Sequence, residues 1–318
     1  MGDHPQDRVT PSPPFYATGV DYAGPINLKT KKGRGAKIIK SYICVFICLS
    51  TRAIHLEIVS ELTTSAFIAT FRRFVSRRGK PSIVRSDNGS NFVGAKSELK
   101  ELGNLLQNQA SYLKEVFENN GIRWQFIPPR SPNFGGIWKA GVKSCKYHLK
   151  RIMGNASLTF EDLYTLITQN EATLNSRPLV PIFSDPSDFD LLTPGHFLIG
   201  RRLTALPDPS LLDLNENRLS KFQHLQRLYQ QFWARWSKEY VVLLQQRWKW
   251  KNPEKNLEVG ELVLVRDDNL PPLNWKLGRV LTLHPGLDGK CRVVSLKTNK
   301  GVIKRAITKL CALPLSDN

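Results

Sequence analysis

Two carboxylates, Asp21 and Asp87, stand in polar islands inside strand-like apolar sequence. Asp21 interrupts Gly19-Val20-Asp21-Tyr22-Ala23-Gly24-Pro25, and Asp87 lies in Ser86-Asp87-Asn88-Gly89-Ser90-Asn91-Phe92. If the strands carrying them are neighbours, the two side chains converge at one edge of a sheet. Oxygen ligands placed in that way suit Mg²⁺ or Mn²⁺, which prefer carboxylates and retained waters. Each residue also has a plainer use, since Ser-Asp-Asn-Gly is a turn signal and its Asp serves as a turn or cap residue.

The elements that must position these residues follow from the hydrophobic pattern. Residues 15–178 read as one α/β domain. Thr18–Leu28, Ile38–Leu49 and Ala53–Val59 are predicted strands of an antiparallel meander, the first two joined by the Gly- and Lys-bearing turn KTKKGRGAK. Thr63 and Thr64 can cap a helix whose Phe67, Ile68, Phe71, Phe74 and Val75 recur at helical spacing. Gly79, Lys80 and Pro81 end it. A short strand Ser82–Arg85 runs into Asp87, helical sequence covers about Val93–Glu118, and Ile122–Ile127 is a further strand. Helices over about Gly136–Ile152 and Thr159–Asn175 complete a mixed sheet covered by helices.

Residues 179–217 have no clean periodicity and form a connector, continued to 255 by a predicted long helix, Leu219–Trp250, carrying Trp233, Trp236, Trp248 and Trp250. Large aromatics at helical spacing mostly supply buried area, so core packing is expected of them. Val259–Leu313 breaks into four or five short strands, and residues 256–318 are read as a small β-barrel. Residues 1–14, rich in Pro and polar groups, are an extended lead-in.

The 318 residues carry 46 Lys and Arg against 27 Asp and Glu, a net charge of +19 that favours a polyanionic partner. The excess is uneven. Asn119–Phe160 contains no carboxylate but holds Arg123, Arg130, Lys139, Lys143, Lys146, Lys150 and Arg151. In Gly136–Ile152 the lysines follow the apolar stripe Trp138, Val142, Cys145, Leu149 and Ile152 one position later and so flank its buried face. Lys290–Lys309 is a second acid-free stretch, which includes Lys300, Lys304 and Arg305. The longest apolar run, Tyr42–Leu49, is too short to cross a bilayer, and the first twenty residues lack the apolar stretch of a secretory signal. Five scattered cysteines without a CxxC pair read as reduced thiols, and no four-ligand zinc spacing occurs. A nuclear or cytoplasmic protein, not secreted and not membrane-bound, is the expectation.

Four ordered motifs, PFYATGVDYAGP, RSDNGSNF, IPPRSPNFGGIWKAGVKSCK and ATLNSRPL, resemble the integrase core of BEL/Pao-type LTR retroelements, an RNase H-like fold of the retroviral integrase superfamily. LTPGHFLIGRRL and NWKLGRVLTLHPGLDGKCRVV are similar to the segment after that core, so the resemblance runs over nearly the whole chain. It implies a site of two Asp and one Glu holding two divalent ions, which clamp the attacking and leaving oxygens during DNA 3′-end processing and strand transfer.

Asp21 and Asp87 match the first two positions of that site, both as catalytic residues and as metal ligands. Family members carry Trp-Glu where this chain has Trp138-Lys139. An ammonium in place of a carboxylate opposes cation binding by several kcal/mol, on the order expected at an effective dielectric of ~20. Metal binding at Asp21 and Asp87 is therefore expected to be weak or absent, with Mg²⁺ or Mn²⁺ the cofactor of any activity that survives. Glu115, Glu118 and Glu171 do not match the third position and read as surface or packing carboxylates.

The zinc module that normally precedes the core has no counterpart, His4 being the one candidate ligand ahead of Asp21. The expectation is an integrase-like, nucleic-acid-binding protein of DNA integration with impaired catalysis. It would bind retroelement ends and target DNA through Arg130, Lys139, Lys143, Lys146, Lys150, Arg151, Lys300, Lys304 and Arg305, and self-associate through the core. Alternatives are an active polynucleotidyl transferase and a non-enzymatic self-association or chromatin adaptor. A ribonuclease H ranks below these, because the helix FIATFRRFVSRR lacks the carboxylate such hydrolases add.

Overall fold

The computed structural model describes residues 9–86, 115–116, 118, 121–126, 146–149, 151, 158–182, 189–245, 257–267, 270–286 and 291–313. The chain divides into two compact units, one running to Asn175 and the other starting at Ser176.

The first unit is built on a mixed sheet of order β3-β2-β1-β4-β5. β1 (Ala17–Lys29), β2 (Ile38–Cys48) and β3 (Ile54–Val59) form the antiparallel meander expected from the sequence. β4 (Ile83–Ser86) and β5 (Arg123–Phe126) join in parallel, and β6 (Leu158–Thr159) pairs with β1 near its end. β2 is buried from Ser41 to Cys48, as a central strand covered on both faces must be.

Helix α1 (Thr64–Arg78) packs on this sheet with Phe67, Thr70, Phe71 and Phe74, a stripe at i, i+3, i+4 and i+7. Phe74 stacks on Phe46 of β2 with ring centroids 4.2 Å apart. The helix starts where the Thr63 hydroxyl accepts the Ala66 N–H, and it stops at Gly79, whose φ of +87° a side chain would disfavour. Helix α2 (Phe160–Asn175) covers the β3 edge.

That edge is closed by polar side chains rather than by another strand. Asn175 accepts the Ile54 N–H through Oδ1 at 2.8 Å and donates Nδ2 to the Ile54 carbonyl at 2.7 Å, doing for the backbone what a neighbouring strand would do. Two residues on, Glu171 Oε2 accepts the Leu56 N–H at 2.8 Å, and Arg73 donates to the Ile58 carbonyl at 3.0 Å.

In the second unit, β7 (Val180–Pro181) and β8 (Leu191–Leu192) make a short ribbon ahead of α3 (Pro194–Ile199), a turn at Glu216–Arg218 and the long helix α4 (Lys221–Leu244). The sequence pattern extended this helix to Trp250, but it ends at Leu244. Gln245 caps it there, and its side-chain Nε2 donates to the Leu310 carbonyl at 2.6 Å. Trp248 and Trp250 lie outside the described residues. Trp233 and Trp236 are buried as expected, and Trp275 meets both of them edge-on.

The C-terminal strands β9 (Leu262–Val265), β10 (Leu277–Pro285), β11 (Cys291–Thr298), β12 (Gly301–Ala306) and β13 (Leu310–Ala312) form an antiparallel sheet of order β12-β11-β10-β9-β13. Only the turn Ile307–Lys309 joins the two outermost strands. Four Cα steps reach at most ~15 Å, whereas five strands laid flat span ~19 Å, so the sheet curls on itself as a small barrel. β9 is buried on both faces. Val263 and Val265 enter a core with Val280, Val294, Leu296 and Leu310, while Leu262 and Leu264 pack outward against Leu244 and Val241 of α4.

Candidate active site

The parallel ladder of β1 and β4 ends with Val20 opposite Ser86, one residue before Asp21 and one before Asp87 in the sequence. The strand neighbourhood on which convergence of the two carboxylates depends is therefore present. Trp124 of β5 donates its indole N–H to Ser86 Oγ at 2.9 Å and ties the end of β4 in place. Asp87 lies outside the described residues, as do Arg130, Lys139, Lys143 and Lys150 and most of the predicted helices 93–118 and 136–152.

Asp21 is nearly buried, its side chain 12% exposed. Oδ1 accepts the N–H of Tyr22 at 2.7 Å, and Oδ2 accepts from Lys146 Nζ at 3.0 Å. Lys146–Leu149 and Arg151 are helical, with Leu149 buried, as the apolar stripe requires. The sequence pattern put Lys146 among the lysines flanking the stripe; its ammonium ends on the β1 carboxylate. Arg151 stacks over the ring of Tyr147, 4.3 Å from its centroid.

Among the described residues, no group of three or more His, Cys, Asp or Glu could hold a metal ion. Of the described residues, Asp21 offers one carboxylate, and a divalent ion at its Oδ2 would have to displace Lys146 or share that oxygen with a positive charge.

Glu171 is fully engaged two strands away, at the β3 edge. Its carboxylate takes the Leu56 N–H, Arg78 NH2 and His55 Nδ1 at 3.3 Å. Glu57, with a side chain only 3% exposed, takes Arg73 at 2.7 Å, Arg77 at 2.9 Å and His55 Nε2 at 3.1 Å. Burial opposes the charge on His55, but the Glu171 and Glu57 carboxylates outweigh it and raise the imidazole above its usual range. Burial likewise opposes the Glu57 charge, and His55 and Arg73 together hold that carboxyl below its usual range. With the ring protonated, both His55 nitrogens donate, one to each carboxylate. Glu115 and Glu118 are exposed. Burial pushes the Cys44 thiol well up, which keeps it a protonated core residue.

In the second unit, Lys300 and Lys304 are exposed. Lys304 pairs with Ser295 and Arg305 with Val294, so these sequence neighbours face opposite sides of β12, with Arg305 half-buried on the side of the core. Lys297, paired with Val302, shares the outer face with Lys304. Composition alone did not single it out; alternation along a paired strand does.

Residues 14–132 match the integrase core domain family, and residues 220–313 match a family of unknown function, DUF5641. Residues 14–132 are thus an integrase core. The ordered motifs quoted from the sequence fall in and after this matched segment. No curated protein matches it. Among solved structures it is similar to the simian T-cell lymphotropic virus intasome in complex with PP2A regulatory subunit B56 gamma, at 12% identity over 99% of this chain and 85% of that chain, with a TM-score of 0.38.

Proposed function

We propose that this protein is a DNA-binding integrase derivative of the BEL/Pao type whose strand-transfer chemistry is impaired. The observation that carries the reading is the Lys146 ammonium 3.0 Å from Asp21 Oδ2, where a metal-dependent transferase needs that oxygen for its ion. The sequence adds Lys139 where the family has its third carboxylate. Two positive side chains, seven residues apart in the sequence, would then stand in for two divalent ions. They can neutralise the aspartates but cannot activate a water or carry a leaving oxygen.

DNA is held through phosphate contacts, with a steep salt dependence and little sequence preference. The contacts come from Arg130, Lys139, Lys143, Lys150 and Arg151 of the core and from Lys300, Lys304 and Arg305 of the barrel. The chain self-associates through its core on retroelement ends and target DNA, in the nucleus or cytoplasm, with domains at 15–178, 179–255 and 256–318.

A strand-transfer assay with Mg²⁺ and Mn²⁺ tests the reading. Wild type is expected to join no DNA, and Lys139→Glu to gain partial joining. Lys139→Ala relieves repulsion without supplying a ligand and stays inactive. Robust metal-dependent joining by wild type, abolished by Asp87→Asn, overturns impairment in favour of an active transferase.

A further inference from the structure

The end of the β1–β2 ribbon carries a third basic stretch, distinct in sequence from the two of the preceding proposal. From Tyr22 to Leu56 the chain has no Asp or Glu, yet Lys29, Lys31, Lys32, Arg34, Lys37 and Lys40 crowd into twelve residues. The ladder holds this segment in shape nearly to its tip, with Leu28 opposite Ile39 and Lys29 opposite Ile38. Beyond the ladder, Thr30 N donates to the Lys37 carbonyl at 3.0 Å and Lys37 N to Thr30 Oγ1 at 3.1 Å. The loop 31–36 closes the ribbon through Gly33 and Gly35 at φ of +91° and +72°, conformations that side chains disfavour.

Among the described residues, none covers the tip. Residues 30–35 and 37–40 are exposed, and a Cβ added at Gly33 or Gly35 would meet no atom within 4 Å. Among the described residues, no carboxylate lies within ion-pair distance of Lys29, Lys31, Lys32, Arg34 or Lys37. Cross-strand partners share a face, so Asn27, Lys29, Ile38 and Lys40 stand together on one side of the ribbon root, with Ile38 67% exposed.

We propose that this ribbon is a further DNA-contacting arm that lays its cations along the phosphates of duplex DNA. The inference rests on the DNA-binding reading above and assigns that binding a third, separate contact. Clustered like charges on a structured ribbon repel one another, and no acid of the segment offsets them. A polyanion supplies the missing counter-charge and gains counterion release in doing so. The shape fits as well, since a two-stranded ribbon enters the ~12 Å major groove, where an exposed isoleucine can meet thymine methyl groups. An anionic bilayer is a poorer match. Membrane-surface elements need one continuous apolar face, whereas Ile38 and Ile39 are successive strand residues and point to opposite sides.

The test uses the full chain, a fluorescent duplex and a KCl series. The arm variant carries Lys31→Gln, Lys32→Gln and Arg34→Gln, and the barrel variant Lys300→Gln and Lys304→Gln. Each lost phosphate contact lowers the slope of log K against log salt by ~0.9, so the arm variant should lose about 2–3 in slope and about tenfold or more in affinity near ~0.1 M salt. Because residues 31–35 are exposed, the melting temperature of the arm variant should match wild type. An arm variant that binds with wild-type slope and affinity overturns the arm while leaving DNA binding intact. A wild type that binds no duplex even at low salt removes the underlying reading instead. A larger loss on anionic vesicles than on duplex also overturns the assignment.

Discussion

The core unit treats acidic side chains in two opposite ways. At the β3 edge, Glu57 and Glu171 are each held by several partners from α1 and β3, and Glu171 also satisfies a backbone N–H. On β1, Asp21 takes its own neighbour's N–H and one lysine from a separate helix. The first arrangement is redundant and buried, so it locks helices to a sheet edge. The second draws its cation from a helix far along the chain, 125 residues from Asp21.

Removing acids from the two places should therefore have unequal effects. The largest is expected from Glu171→Ala, which strands Arg78, His55 and the Leu56 N–H; loss of one partner from a buried pair costs about 3–5 kcal/mol. Equilibrium urea unfolding measures it, and a change below about 1 kcal/mol would dissolve the contrast. Next comes Asn175→Ala, which removes both bonds to Ile54 and leaves a covered edge unpaired, for about 1–3 kcal/mol by the same measurement.

A pH series of thermal melts tests the charges directly. The raised His55 value means that its contribution is fully present below its ordinary 6.5 and is lost as pH rises through the higher folded value. The lowered Glu57 value means that its contribution is present above 4.5 and is lost as pH falls through the folded value. Stability should peak between these limits, and His55→Gln should flatten the alkaline side. No change in that flank would mean that the ring is neutral at all pH values.

The smallest stability effect belongs to Lys146→Ala. A partly exposed pair is worth about 0–1 kcal/mol, so unfolding should barely move. Mn²⁺ affinity, followed by titration calorimetry, should nonetheless rise when Lys146→Ala is combined with Lys139→Glu. A double variant that binds Mn²⁺ no better than wild type would show that the lysines do not hold the site closed.

The meander and the α1 helix with its Thr63 cap were legible in the sequence, because they rest on local periodicity and, for the helix, a capping residue. Two features of the site were not. The sequence ranked Glu171 as a packing or surface carboxylate without naming its partners, since Leu56, Arg78 and His55 lie about a hundred residues away along the chain. Lys146 looked like one more lysine beside an apolar stripe, since the direction of a long side chain depends on what its helix docks against.

By itself, the sequence determined the meander and the helix after it, the match of residues 14–132 to the integrase core family, the basic balance and the acid-free stretches. All of these reside in residue type, spacing and short-range pattern. Tertiary structure alone decided which charges meet: Lys146 with Asp21, Glu171 and Asn175 with an open strand edge, and Lys304 apart from Arg305. Coulomb and hydrogen-bond energies depend on distances between groups far apart in the chain, and only the fold sets those distances.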